Sequence, residues 1–83
     1  MAEFFRIHKA RAESGDALFQ YHTALCYDTG IGVKKDDKRA LYWFIRAALG
    51  GNSDAKTLLN ERYDNSWMIP EEDIEEFYRR ARP

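Results

Sequence analysis

The chain has 83 residues, 45% of them hydrophobic and 14% aromatic, which excludes an intrinsically disordered segment and leaves no room for a second core. Thirteen basic against fourteen acidic residues give a formal charge of -1, so no global field concentrates nucleic acid or anionic lipid, and a generic phosphate-backbone binder is excluded. The single Cys26 has no second thiol to pair with, and no apolar run approaches the roughly eighteen residues of a membrane span, so the expectation is a protein of the reduced cytoplasm without signal peptide or membrane span.

Apolar spacing follows the helical period along almost the whole chain, with turn signals at regular intervals. A first helix is predicted from Ala2 to about Glu13, with Phe4, Ile7 and Arg11 along one side and Phe5, His8 and Ala12 beside them. Ser14-Gly15 ends it. A second runs from Asp16 to about Thr29; Gly30 and Gly32 then allow backbone conformations that a side chain disfavours, and Val33 closes the loop. Asp36 and Asp37 supply an N-cap oxygen and a first-turn carboxylate for a third helix that stops at Gly50-Gly51. A fourth, from Ser53 or Asp54 to Tyr63, carries Ala55, Leu58, Leu59 and Tyr63 on one stripe. A fifth begins near Pro70, with Glu71, Glu72 and Asp73 at its positive end, Arg79, Arg80 and Arg82 at its negative end, and Ile74, Phe77, Tyr78 and Ala81 toward the core.

The chain repeats itself. A shift of 36 residues pairs Ala12 with Ala48, Gly15 with Gly51, Tyr27 with Tyr63 and Asp28 with Asp64; beyond the connecting loop a shift of 34 pairs Trp43 with Phe77, Phe44 with Tyr78, Arg46 with Arg80 and Ala47 with Ala81. The predicted fold is all-α: a five-helix α-solenoid of antiparallel helix hairpins, about 2.5 units in one domain over 1–83. Its parts are a half unit (1–14), a first hairpin (15–51) and a degenerate second hairpin (52–83).

The residues Ala12-x-x-Gly15, Gln20-Tyr21, Tyr27-x-x-Gly30-x-Gly32-Val33, Asp36, Ala40-x-x-Trp43-Phe44-x-Arg46-Ala47-Ala48 and Gly51 form one pattern over 12–51. That pattern resembles the signature of the Sel-one-like repeats, a branch of the tetratricopeptide-like helical repeats, and a degenerate copy follows over 48–82. The chain departs from the family at Phe19, where alanine is usual, at Thr23, where leucine is usual, and at Ala24 and Asn60, where glycine is usual. The resemblance implies an α-solenoid that acts as a scaffold or adaptor for protein partners, with no chemistry of its own.

No catalytic or metal constellation emerges from the residues themselves. His8 and His22 lie in different helices, and His22 with Cys26 offers two of the four ligands zinc takes, so ordinary surface or boundary histidines are the expectation and no cofactor or metal is assigned. Cys26 sits mid-helix, away from a helix N-terminus that would activate it, and reads as a small core filler. No nucleophile, base and orienting group stand at compatible spacing, so no enzymatic activity is expected.

Three surfaces are candidates for a protein partner. By resemblance, the concave face is lined by the first helix of each hairpin: Leu18, Tyr21, Leu25 and Asp28, then Asp54, Thr57, Glu61 and Asp64. Tyrosine beside carboxylates suits a segment carrying Lys or Arg. The third helix is apolar all round, and its face of Leu41, Tyr42, Ile45 and Leu49 is either core or interface. The acidic run that includes Glu72 and Glu76 is either a solvated helix or an acidic surface for a basic partner. Trp67, Met68 and Ile69 read as a hydrophobic plug in the last turn. The leading expectation is an adaptor or scaffold; the alternative is a small inhibitor of the immunity, antitoxin or anti-defence type that occludes an enzyme or a nucleic-acid site. Direct nucleic-acid or membrane binding is not expected, while unpaired solenoid ends and the apolar third helix also allow a homodimer.

Overall fold

The structure, a computed structural model, describes residues 2–63. They form four helices, α1 (Ala2–Glu13), α2 (Ala17–Thr29), α3 (Asp37–Leu49) and α4 (Ser53–Tyr63), each packed against the next as helical hairpins. Of the five helices expected, four are seen among the described residues. The predicted helix from Pro70 and the plug at Trp67 to Ile69 lie outside them.

Local chemistry sets each boundary. The Asp16 Oδ1 accepts the N–H groups of Leu18 at 3.0 Å and Phe19 at 3.3 Å, so two otherwise orphaned donors start α2 satisfied. Asp36 Oδ1 accepts the Arg39 N–H at 3.0 Å to start α3, and this backbone bond, with the Arg39 guanidinium, holds the Asp36 carboxyl below the usual carboxylate range. Asn52 Oδ1 accepts the Ala55 N–H at 2.8 Å to start α4. At the far end of α2, the N–H groups of Gly30 and Ile31 both donate to the Cys26 carbonyl, at 2.7 and 3.0 Å, and Asp36 N–H donates to the Tyr27 carbonyl at 2.9 Å. That last bond ties the loop back onto the helix.

The 36-residue shift is visible in the backbone. Gly15 and Gly51 have φ of 104° and 103°, and their N–H groups donate to the Ala12 and Ala48 carbonyls at 3.0 and 3.1 Å. One residue on, Asp16 donates to Arg11 at 3.4 Å and Asn52 to Ala47 at 2.9 Å. The turn from α1 to α2 is therefore the turn from α3 to α4 made twice, and α1 corresponds to α3 as α2 corresponds to α4. A Cβ at Gly15 or Gly51 would meet nothing within 4 Å, so it is the positive φ that calls for glycine at both turns.

The core sits along α3. Ala40, Tyr42, Trp43, Phe44, Ile45, Ala47 and Ala48 are all buried, and α2 and α4 lie against that helix. Small residues at the contacts, Ala24, Ala47, Ala48 and Ala55, are fully enclosed and bring the helix axes close. Gln20 is the polar side chain buried at the α1–α2 junction, and its amide donates to the Ala12 carbonyl at 3.1 Å.

Candidate protein-docking face

Leu18, Tyr21, Leu25 and Asp28 recur at i, i+3, i+7 and i+10 on α2 and share one side of it. Leu18 is 54% exposed, whereas Tyr21 and Leu25 are half-buried, with the Tyr21 ring 5.8 Å from Phe44 of α3. On α4 the positions 36 residues on from Leu18, Tyr21 and Leu25 are Asp54, Thr57 and Glu61, all exposed. The arrangement is a strip two helices wide, apolar along α2 and polar to acidic along α4.

Asp28 has a different part from the one expected of it. Its carboxylate is gripped by the Arg62 guanidinium at 3.0 and 3.2 Å, a bidentate pair that ties α2 to α4 across the strip. Arg62 also lies 5.9 Å from the centre of the Phe44 ring. A recess of about 170 Å³ opens here, lined by Asp28, Asp37, Leu41, Phe44, Arg62 and Tyr63. The carboxylate that was to receive a partner's cation is already occupied by one from the same chain.

The third-helix face divides. Tyr42 and Ile45 are 5% and 2% exposed and belong to the core, so the core side of that open choice holds for these two. The reason is local: the Tyr42 ring stands edge-on to Trp43 at 5.0 Å, and Arg46 covers it at 5.7 Å while donating to its hydroxyl at 3.2 Å. Leu41 is half-buried, and Leu49 is exposed. Glu72 and Glu76 lie outside the described residues.

Several contacts were not read from the sequence. His8 and His22 stack with ring centroids 5.4 Å apart, in a column with Phe4 at 3.9 Å from His8 and Phe19 at 5.0 Å. The Asp28–Arg62 pair joins residues 34 apart, and only the repeat register, which sets α2 beside α4, signals it. Burial pushes the Cys26 thiol up, the reverse of what a nucleophile needs. Among the described residues, no three His, Cys, Asp or Glu side chains gather as a metal site, and no helix is long and apolar enough to cross a membrane.

Helix pairs joined by short turns and repeated at a fixed spacing define an α-helical repeat protein of the tetratricopeptide-like kind. Residues 17–52, which comprise α2, its glycine loop and α3, match the family model of the Sel1 repeat, and this segment is a Sel1 repeat. The chain is similar to the ERAD-associated E3 ubiquitin-protein ligase component HRD3A of Arabidopsis thaliana, 36% identical over 62 residues, which is 74% of this chain and 9% of that protein. It is similar also to chitin synthase regulatory factor 2 of Schizosaccharomyces pombe, 33% identical over 48 residues, 58% of this chain and 9% of that protein. The alignments thus span about a tenth of each relative's length. No solved structure matches the chain. The Sel1 repeat is a non-catalytic helical module that generally binds proteins.

Proposed function

We propose that this protein is a non-enzymatic adaptor that docks one protein partner on the strip formed by α2 and α4. The observation that carries the reading is the exposed Leu18, set beside the half-buried Tyr21 and Leu25 and bordered by the exposed Asp54, Thr57 and Glu61 of the next helix. Apolar side chains that are partly supported from below and rimmed by charge lose little entropy on binding and exclude water at the contact centre. The partner segment that fits has apolar residues against α2 and Lys or Arg against Asp54 and Glu61. The names of the two relatives, a ligase component and a synthase regulatory factor, support an accessory role beside an enzyme.

The test compares affinity capture from native lysate by the wild-type chain, Leu18→Asp and Glu61→Arg, with circular dichroism to show that each variant keeps its helices. A partner held through this strip is lost at least about tenfold with Leu18→Asp, and Glu61→Arg reduces the salt dependence of its capture, Asp54 retaining the remainder. Equal recovery by all three overturns the assignment of this face. Addition of the wild-type chain to the recovered partner then separates adaptor from inhibitor, since only an inhibitor abolishes the partner's activity at unit stoichiometry.

A further inference from the structure

The internal repeat assigns each helix its neighbours, and at α1 one is missing among the described helices. Phe4 and Ile7 stand 36 residues before Ala40 and Trp43, so the two pairs hold equivalent positions on corresponding helices. Ala40 and Trp43, on a helix with α2 on one side and α4 on the other, are 2% and 5% exposed. Phe4 and Ile7 are 45% and 54% exposed. The opposite side of α1 is engaged with α2, through Phe5 against Tyr27 and His8 against Phe19 and His22.

The far end of the described stack is different in kind. Where α2 turns Ala17, Tyr21 and Ala24 toward the core or α3, the corresponding residues of α4 are Ser53, Thr57 and Asn60, and all three are exposed. Among the described helices, the outer side of α1 is therefore apolar where these positions of α4 are polar. A two-fold pair sets the apolar end against itself and closes.

We propose that α1 is a self-association surface, on which two copies of this chain pair antiparallel about an axis at Ile7. In that register residue i of one copy meets residue 14 − i of the other: Ile7 meets Ile7, Phe4 meets Ala10, and Glu3 meets Arg11. An oily centre is thus flanked at both ends by opposite charges. Ala10 and Arg11 are exposed, and the Arg11 guanidinium, 5.1 Å from the Phe19 ring of α2, would give up that contact or share it to reach Glu3 of the second copy. Glu3 has Arg6 as an exposed partner in its own helix, so the pairing across the axis selects the antiparallel register more than it adds strength. One helix face is smaller than the roughly 800 Å² per partner of a standard interface, so the dimer is weak and concentration-dependent.

Sedimentation equilibrium of the full chain, from about 10 μM to about 1 mM, tests the pairing. The wild type is expected to pass from monomer to dimer in this range, and Ile7→Glu to stay monomeric with an unchanged circular dichroism spectrum. Glu3→Arg and Arg11→Glu should each weaken the dimer at least about threefold, and the double reversal should return it to within about twofold of wild type. A wild type that stays monomeric, a dimer indifferent to Ile7→Glu, or assemblies growing beyond two copies would each overturn the proposal. Failure of the double reversal to restore the dimer would overturn the antiparallel register.

Discussion

Thr23 is fully buried on α2, and its hydroxyl has no hydrogen-bond partner. Its counterpart 36 residues on is Leu59, equally buried, so this position of the repeat is an apolar one that here carries a polar atom. A buried donor left without a partner costs about 1–3 kcal/mol, part of which an isosteric apolar side chain recovers. Thr23→Val is therefore expected to raise the stability of the chain by about 0.5–1 kcal/mol, read as a higher urea midpoint at unchanged slope. A lower midpoint would mean that the hydroxyl is satisfied in solution. That Thr23 stands in a leucine position was legible in the sequence through the resemblance to the repeat family, in which leucine is usual there. That its hydroxyl is unsatisfied was not, since this depends on which acceptors the neighbouring helices bring within reach. Gln20 makes the contrast: it too is polar and buried, but the end of α1 hands it the Ala12 carbonyl.

Among the elements, α2 and α4 are linked by the one long-range ion pair between described side chains whose geometry is bidentate. Asp28 and Arg62 have 18% and 43% of their side chains exposed, which limits what solvent leaves of their attraction. A double-mutant cycle with Asp28→Asn and Arg62→Gln is expected to give a coupling of about 0.5–1 kcal/mol in low salt, and less at high ionic strength. A coupling within error of zero would assign the stability role of Arg62 to its packing on Phe44 instead. At this scale the helix ends were legible, with Asp36, Gly15 and Gly51 placed as the structure has them and Asp16 one position off, expected as the first residue of α2 and found as its cap, because a cap is a matter of three or four neighbouring residues. The partner of Asp28 was not legible, because it requires the crossing of two helices 34 residues apart.

For the whole molecule, the location of the core predicts the order of local opening. Nearly every turn of α3 is buried, whereas α1 and α4 each leave a side to solvent. Native-state hydrogen exchange should find the slowest amides in α3 and faster ones in the first two turns of α1, a spread of at least about tenfold in protection. Equal protection in α1 and α3 in a dilute monomeric sample would mean that the helices open together. In a concentrated sample, by contrast, protection gained in α1 alone is what pairing of two copies predicts.

What the sequence by itself determined was the helical class, the four helix spans within residues 2–63, the repeat of 36 and the Sel1 signature, and the reason is that all of these rest on local rules: periodicity, caps and glycine turns. Tertiary structure alone decided which apolar faces are covered. The all-round apolar third helix left Tyr42 and Ile45 open to either reading, and only packing placed them inside, while Phe4 and Ile7, equally apolar in the sequence, remain on the surface. Hydrophobic patterning reports that a residue has a use for burial; the neighbour that supplies the burial is a property of the assembled stack.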